Sequence, residues 1–248
     1  MATIAERARQ DLQSKIANEK KLSPKLKAIF RQMGRDLKLK YATSQQLIDA
    51  SVYEPEFKAV LIQRSRLVAN EFKRSFRRNE AKDDTDDQID AELLAWLIIF
   101  IDEQIGYITA TTDEQMRQLV AEVMRDLSNE GIPATKEAVA QKVSERFIRQ
   151  GMARSELISS EVVNTVAEKS KFVEAGVLAR AADIKGTKTW FTNMDGKERD
   201  SHHNAFGQTR EISKPFNVGS SLLMFPKDRS LGAQSKEIFN CRCSAIYE

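Results

Sequence analysis

Residues 85–101, TDDQIDAELLAWLIIFI, open like the start of a helix and close as an unbroken apolar run. Thr85 followed three residues later by Gln88 has capping-box spacing, in which each side chain satisfies a backbone N–H that the first helical turn leaves free. Asp86 and Asp87 place negative charge at the positive end of the helix dipole. From Leu93 to Ile101 apolar residues then run all the way round the helix. A surface helix needs only an apolar stripe, so this pattern predicts a helix covered on every side. The run is bracketed by Glu92 and Asp102 and is far shorter than the roughly 20 residues that cross a bilayer, which reads as a core helix and no membrane span. If neighbouring helices left part of Trp96, Ile99 and Phe100 bare, that patch would be large enough to mark a protein interface or self-association.

Helical signals extend from there in both directions. Upstream, apolar residues recur at helical spacing from Ile4 to Lys40. Ser23 as an N-cap and Pro24 in a first turn, within LSPKLK, divide that stretch into two helices. From Glu54 to Ala81, Phe57, Val60, Leu61, Leu67, Val68, Phe72 and Phe76 form a further stripe. Downstream, Thr112 and Gln115 repeat the capping box, NEGIP at 129–133 stops the helix, and another begins near Thr135. Gly151 reads as a break before a helix over 152–176. Charged residues at 30% and aromatics at 7% suit long helices with solvated faces. MATIAERARQ, at 1–10, carries charge where a secretory signal needs an apolar core.

After Gly176 the pattern changes. TKTWFTN, GQTREI and CSAIY are short strand candidates set among loops that hold five of the ten glycines and two of the five prolines. The expected fold class is therefore α+β: a mainly α-helical N-terminal region over 1–150 with basic faces, then 151–248, comprising the helix and a small, loop-rich unit of short β-strands over 180–248. A unit of about 70 residues commonly leans on a metal or on a large neighbouring surface for stability.

That last fifth of the chain holds both histidines, His202 and His203, and both cysteines, Cys241 and Cys243. One intervening residue makes the cysteines a poor disulfide pair, which fits a reducing compartment. On an extended segment, residues i and i+2 point the same way, so both thiolates reach one Zn²⁺, with His202 or His203 third and Asp195 or Asp200 fourth. The alternative reading is structural: cysteines as small apolar side chains, and His202 hydrogen-bonded to Asp195 or to a loop carbonyl. Trp190 then belongs to the core, and Arg199 and Arg242 are buried forks that tie loops to carboxylates. SHHN also suggests a metal-dependent nuclease, but two adjacent histidines with no third fall short of such a site. Neither cysteine has a dedicated base with an orienting group, and the chain reads as a non-enzyme.

Taken in order, Trp190, Asp195, Arg199, His202, Gly207, Pro215-Phe216, MFPKDRS and EIFNCRC, the last containing Asn240 and Arg242, resemble the phage Mu F-like minor head proteins, also called phage head morphogenesis proteins. The resemblance covers roughly residues 150–248. Its upstream helix carries Ser160 and Glu161 at the family's Thr-Glu positions, with Asn164 following. The sequence departs at Ser159, where an arginine is usual, and at Lys227, where a glycine is common. The resemblance implies a structural component of a tailed phage or prophage head, associated with the portal and head interior and acting in head morphogenesis, genome packaging or delivery. Its implied location is the virion, with the host cytoplasm during assembly. A metal-dependent nuclease or toxin-like effector domain is the competing reading.

A net charge of +3 is too small to argue nucleic-acid binding by itself, but its distribution is uneven. Nine lysines and arginines between Lys15 and Lys40, together with Lys73, Arg74, Arg77 and Arg78, form either a phosphate-contacting face for non-specific double-stranded DNA or a solvated helical face.

Overall fold

The computed structural model describes residues 3–73 and 84–248. Four long helices come first: α1 (Ile4–Ser44), α2 (Glu54–Phe72) after a 3-10 turn at Ala50–Tyr53, α3 (Asp84–Asn129) and α4 (Lys136–Ala181). Short elements follow: β1 (Thr187–Phe191), α5 (Asp200–Ala205), β2 (Thr209–Glu211), β3 (Phe216–Val218), β4 (Ser221–Leu223), α6 (Ser235–Ile238) and β5 (Ser244–Tyr247). The fold is α+β, with long helices followed by a small antiparallel unit. The chain divides into two compact units, one of Met1–Lys20, Arg64–Leu97 and Ser160–Glu248, the other of Lys21–Gln63 and Ile98–Ser159. Each long helix gives one segment to each unit, so the division does not follow the cut expected at residue 150.

Three expected helix breaks are absent. Pro24 lies inside α1, exposed, between Leu22 and Leu26, which are both fully buried. Burying each leucine is worth about 1.5–3 kcal/mol, enough to carry the helix past a proline that costs about 3. Thr112 caps nothing: within α3 its hydroxyl donates to the Ile108 carbonyl and accepts from Arg154 Nη1 at 2.7 Å. Gly151 sits inside α4, where an added Cβ would come within 2.8 Å of Phe30 Cβ. The residue is small because of that close approach. Phe30 itself centres the core of its unit, edge-on to Phe57 at 5.4 Å.

The expected helix ends are present. Gly131 takes φ +67° after α3, and Ile132 N–H reaches back to the Leu127 carbonyl at 2.9 Å, a Schellman closure. The Thr135 hydroxyl accepts from Ala138 N–H at the start of α4.

The apolar run of α3 is not covered all round. Leu93, Leu97, Phe100 and Ile101 are buried, whereas Leu94, Ile98 and Ile99 are 45%, 51% and 62% exposed. Packing uses one helical stripe and leaves the rest bare. By length and composition α3 has a window apolar enough to cross a membrane, and 44% of that window is buried inside the protein. Ile99→Asp is expected to leave a folded chain, its stability within about 0.5 kcal/mol of the parent in urea melts followed by circular dichroism. An unfolded variant would return Ile99 to the core.

In the other unit, β1 is the central strand of the order β2-β1-β5, both pairings antiparallel, with Thr189 opposite Thr209 and Trp190 opposite Ala245. The three stretches expected as strands all supply them. The β3–β4 hairpin adds a second sheet, turning at Gly219 with φ +58°. Trp190, Phe216, Val218, Leu223, Ala245 and Tyr247 form the core with Ala175 of α4, while Ile89 and Leu93 of α3 pack on Val173 and Val177.

A buried ion network fastens β5 to α1 and α4. Lys15 Nζ donates to Glu168 Oε1 at 2.6 Å, to Ser244 Oγ at 2.8 Å and to the Cys243 carbonyl at 3.3 Å. Lys171 Nζ lies 2.8 Å from the same Glu168 oxygen and donates to Asp11 at 2.6 Å and to the Ala245 carbonyl at 3.0 Å. Ala245 N–H donates to the other Glu168 oxygen at 2.9 Å. The charges balance, two against two, which is the condition under which ions survive burial.

Candidate metal centre

Three buried donors converge beside the central strand: one imidazole nitrogen of His202 and the sulfurs of Cys241 and Cys243, all within 4.8 Å of one another. His202 comes from α5, whose N-cap is Arg199. The Arg199 guanidinium donates to the Phe239 carbonyl at 2.6 Å and so ties the start of α5 to the chain leaving α6. Asn240 turns that chain at φ +56°, a conformation asparagine tolerates better than most residues, and Cys241–Cys243 then lead into β5. Both sulfurs face inward and are buried, as the alternation of an extended segment requires, while Arg242 faces outward to Asp195 at 2.5 Å.

The side chain of His202 is held at both ends. Its Nε2 lies 3.1 Å from Glu237 Oε2, which also accepts from Ser201 Oγ at 2.6 Å, and its Nδ1 lies 3.3 Å from Cys243 Sγ. A carboxylate on Nε2 favours the tautomer protonated there, leaving the Nδ1 lone pair directed at the sulfurs. Trp190 walls one side, edge-on to the imidazole at 5.8 Å, and its Nε1 donates to Thr192 Oγ1, which donates in turn to the His202 carbonyl at 2.8 Å.

Burial alone would push the His202 imidazole down, yet hydrogen bonding and charge from Cys241, with Glu237 behind, carry it above its ordinary value. Cys241 is held well below the usual thiol range, first by the hydrogen bond from Cys243 and then, against the effect of burial, by His202. Cys243, the thiol that donates, is pushed well up. Two neighbouring thiols beside an imidazole are groups that a soft divalent cation binds by displacing protons. The donor set, its burial and the supporting carboxylate all suit a single metal ion.

Only part of the expected ligand set assembles. His203 follows His202 on α5 but points elsewhere: its side chain is 56% exposed, with Nδ1 3.8 Å from Glu198. Asp195 is also exposed and bound to Arg242 and to Lys197 N–H. Asp200 is exposed in the first turn of α5. His202 is not hydrogen-bonded to Asp195, because Glu237 takes that place. Trp190 is core, whereas Arg199 and Arg242 are not the buried forks expected: each is partly exposed and donates through one nitrogen to one oxygen, Arg199 to the Phe239 carbonyl and Arg242 to Asp195. Gly207 takes φ +75° in the link from α5 to β2. Thr192, Glu198, Ser201 and Glu237 join the site with no local sequence signal.

Of the proposed phosphate contacts, Lys73 is buried and ion-paired with Asp90, while Arg74, Arg77 and Arg78 lie outside the described residues. Lys15 is committed to Glu168. On α1, Lys21, Lys25, Arg31, Arg35, Lys38 and Lys40 are exposed.

No family model, curated protein or solved structure matches this chain.

Proposed function

We propose that the chain is a non-enzymatic structural protein of a tailed-phage or prophage head, and that its C-terminal unit is pinned by one zinc ion on His202, Cys241 and Cys243. It would associate with the portal and with other head proteins, reside in the virion after assembly in the host cytoplasm, and contact packaged duplex DNA without reading its sequence, using exposed lysines and arginines of α1. The observation that carries the reading is what the residues of the resemblance do. Gly207 and Asn240 both hold left-handed backbone, and Lys227, at a position where that family commonly has glycine, holds φ +72°. Lys227 Nζ also reaches Glu161 of α4, the glutamate of the Thr-Glu pair, at 2.6 Å. Trp190, Arg199 and Arg242 are clamps of the same small unit. A pattern whose members are turns, clamps and a buried His-Cys-Cys group able to hold a metal supports a structural role, as a head component would have.

Two measurements test the two parts. Mass spectrometry of purified particles from cells producing the phage or prophage is expected to find the chain in the head fraction. A chain confined to the particle-free lysate would refute the head assignment. Elemental analysis of chain purified without chelator is expected to give about one zinc per chain. Zinc at background would leave the His202 cluster as packing alone.

A further inference from the structure

A tetrahedral zinc site needs four ligands, and the cluster as described supplies three. The donors face a cavity of about 30 Å³, room for one small occupant, also lined by Thr192, Glu198 and Arg199. Within its wall lies an anomaly. Glu198 Oε2 is shut off from solvent and has no hydrogen-bond partner, although the side chain's other oxygen, Oε1, faces His203 at 3.8 Å. An orphaned carboxylate oxygen inside a protein is costly, because burial strips its water without replacing it. A cation in the adjoining cavity removes that cost.

The other carboxylates near the cluster are engaged. Asp195 is exposed and held by Arg242. Glu237 stands behind the imidazole on Nε2, with Ser201 on the same oxygen, and supports the ligand from the side away from the sulfurs. Glu198 sits four residues before His202, immediately ahead of the N-cap of α5, so the loop that leads into the helix presenting the imidazole brings the carboxylate to the cavity.

We infer that Glu198 is the fourth ligand of this metal centre, completing a His-Cys-Cys-Glu set. The inference rests on the zinc reading and gives it a definite character. With four protein ligands the ion has no open position for a substrate or an activated water, which makes the centre structural. Glu198 then staples the β1–α5 loop to the Cys-x-Cys segment, joining parts of the chain about forty residues apart that no disulfide links.

The test is Zn²⁺ affinity of the purified full chain, measured by competition with a chromophoric chelator. Glu198→Gln is expected to weaken binding by at least about ten- to a hundredfold, the loss seen when even a supporting residue is removed. His203→Ala, which alters only the exposed neighbour of Glu198, is expected to bind as the parent does. Co²⁺ in place of zinc adds a readout of geometry: the parent shows the intense visible bands of a four-coordinate thiolate site, and Glu198→Gln loses or shifts them. Parental affinity and spectrum in Glu198→Gln would overturn the inference while leaving three-ligand metal binding intact. Failure of the parent to bind zinc would overturn the reading beneath it as well. Should Glu198→Gln not fold, Glu198→Asp, which keeps the charge but withdraws the oxygen by one methylene, carries the same comparison.

Discussion

Glu168→Ala is expected to cost about 3–5 kcal/mol, since removing one member of a buried ion pair leaves its partner charged and unsolvated. The site makes this a severe case. Glu168 is the shared partner of Lys15 and Lys171, all three side chains are essentially inaccessible, and it also accepts from Ala245 N–H. Against a typical domain stability of 5–15 kcal/mol, the variant is marginal or unfolded at physiological temperature. Urea denaturation of parent and variant at pH 7, followed by circular dichroism, measures the difference. A loss below about 1 kcal/mol would mean that the lysines find other partners or shed their protons. The network also has a pH signature. Burial tends to raise the Glu168 carboxyl, but Lys15 and Lys171 outweigh it and the net shift is downward. A depressed carboxyl contributes stability that is fully present above its unfolded value, near 4.3, and is lost as pH falls through the lower, folded one. Burial likewise opposes the charge on Lys171, and Asp11 and Glu168 reverse that into an upward shift. Its contribution is complete below the unfolded lysine value, about 10.4, and disappears as pH rises through the folded one.

Trp190→Ala is expected to cost about 3–5 kcal/mol and to weaken metal binding with it. Trp190 is fully buried on the central strand, edge-on to Phe216 at 5.3 Å and to His202 at 5.8 Å. Truncation empties the middle of the small core, removes the wall that holds the imidazole, and takes away the donor that Trp190 Nε1 supplies to Thr192. Trp190→Phe keeps most of the packing but loses that donor and part of the indole's volume, so it is expected to fall between parent and alanine variant. The order of the three urea midpoints, with zinc affinity following the same order, is the result to check. An alanine variant as stable as its parent would remove Trp190 from the centre of this unit.

Elements whose signal is local were legible in the sequence. The alternation in TKTWFTN and CSAIY yields β1 and β5, NEGIP ends α3, Thr135 starts α4, and Cys-x-Cys on an extended segment turns both sulfurs one way. The local signal misleads where one residue serves two purposes. Thr112 beside Gln115 has cap spacing, yet the same hydroxyl can bond back to the preceding turn, and only the position of Arg154 in space decides between them. Pro24 and Gly151 are breakers by propensity, overruled by the burial of Leu22 and Leu26 and by the nearness of Phe30. The all-round apolar run of α3 implied full cover, but a helix contacts its neighbours along a stripe whatever stands on the other face. In the site, His202 and His203 are equivalent on paper and about 100° apart on a helix. Glu198 and Glu237 are two of 36 acidic residues and become identifiable only when the chain returns to them.

The clasp between α1 and β5 bears on synthesis. Lys15 leaves the ribosome long before Ser244, 229 positions later, and Arg7 pairs with Glu248 across 241. Throughout that interval the first helix carries a lysine whose native surroundings do not yet exist, and water must solvate it. Native closure of this unit therefore waits on β5: the helices can form as they emerge, but the register that buries Lys15 is set by residues more than two hundred positions downstream. Contacts of such sequence separation slow folding, because the chain entropy lost in closing the loop precedes the contacts that offset it. A nascent chain held short of β5 keeps Lys15, Glu168 and Lys171 in water, and the arrival of that strand is the step at which the three charges can be buried together.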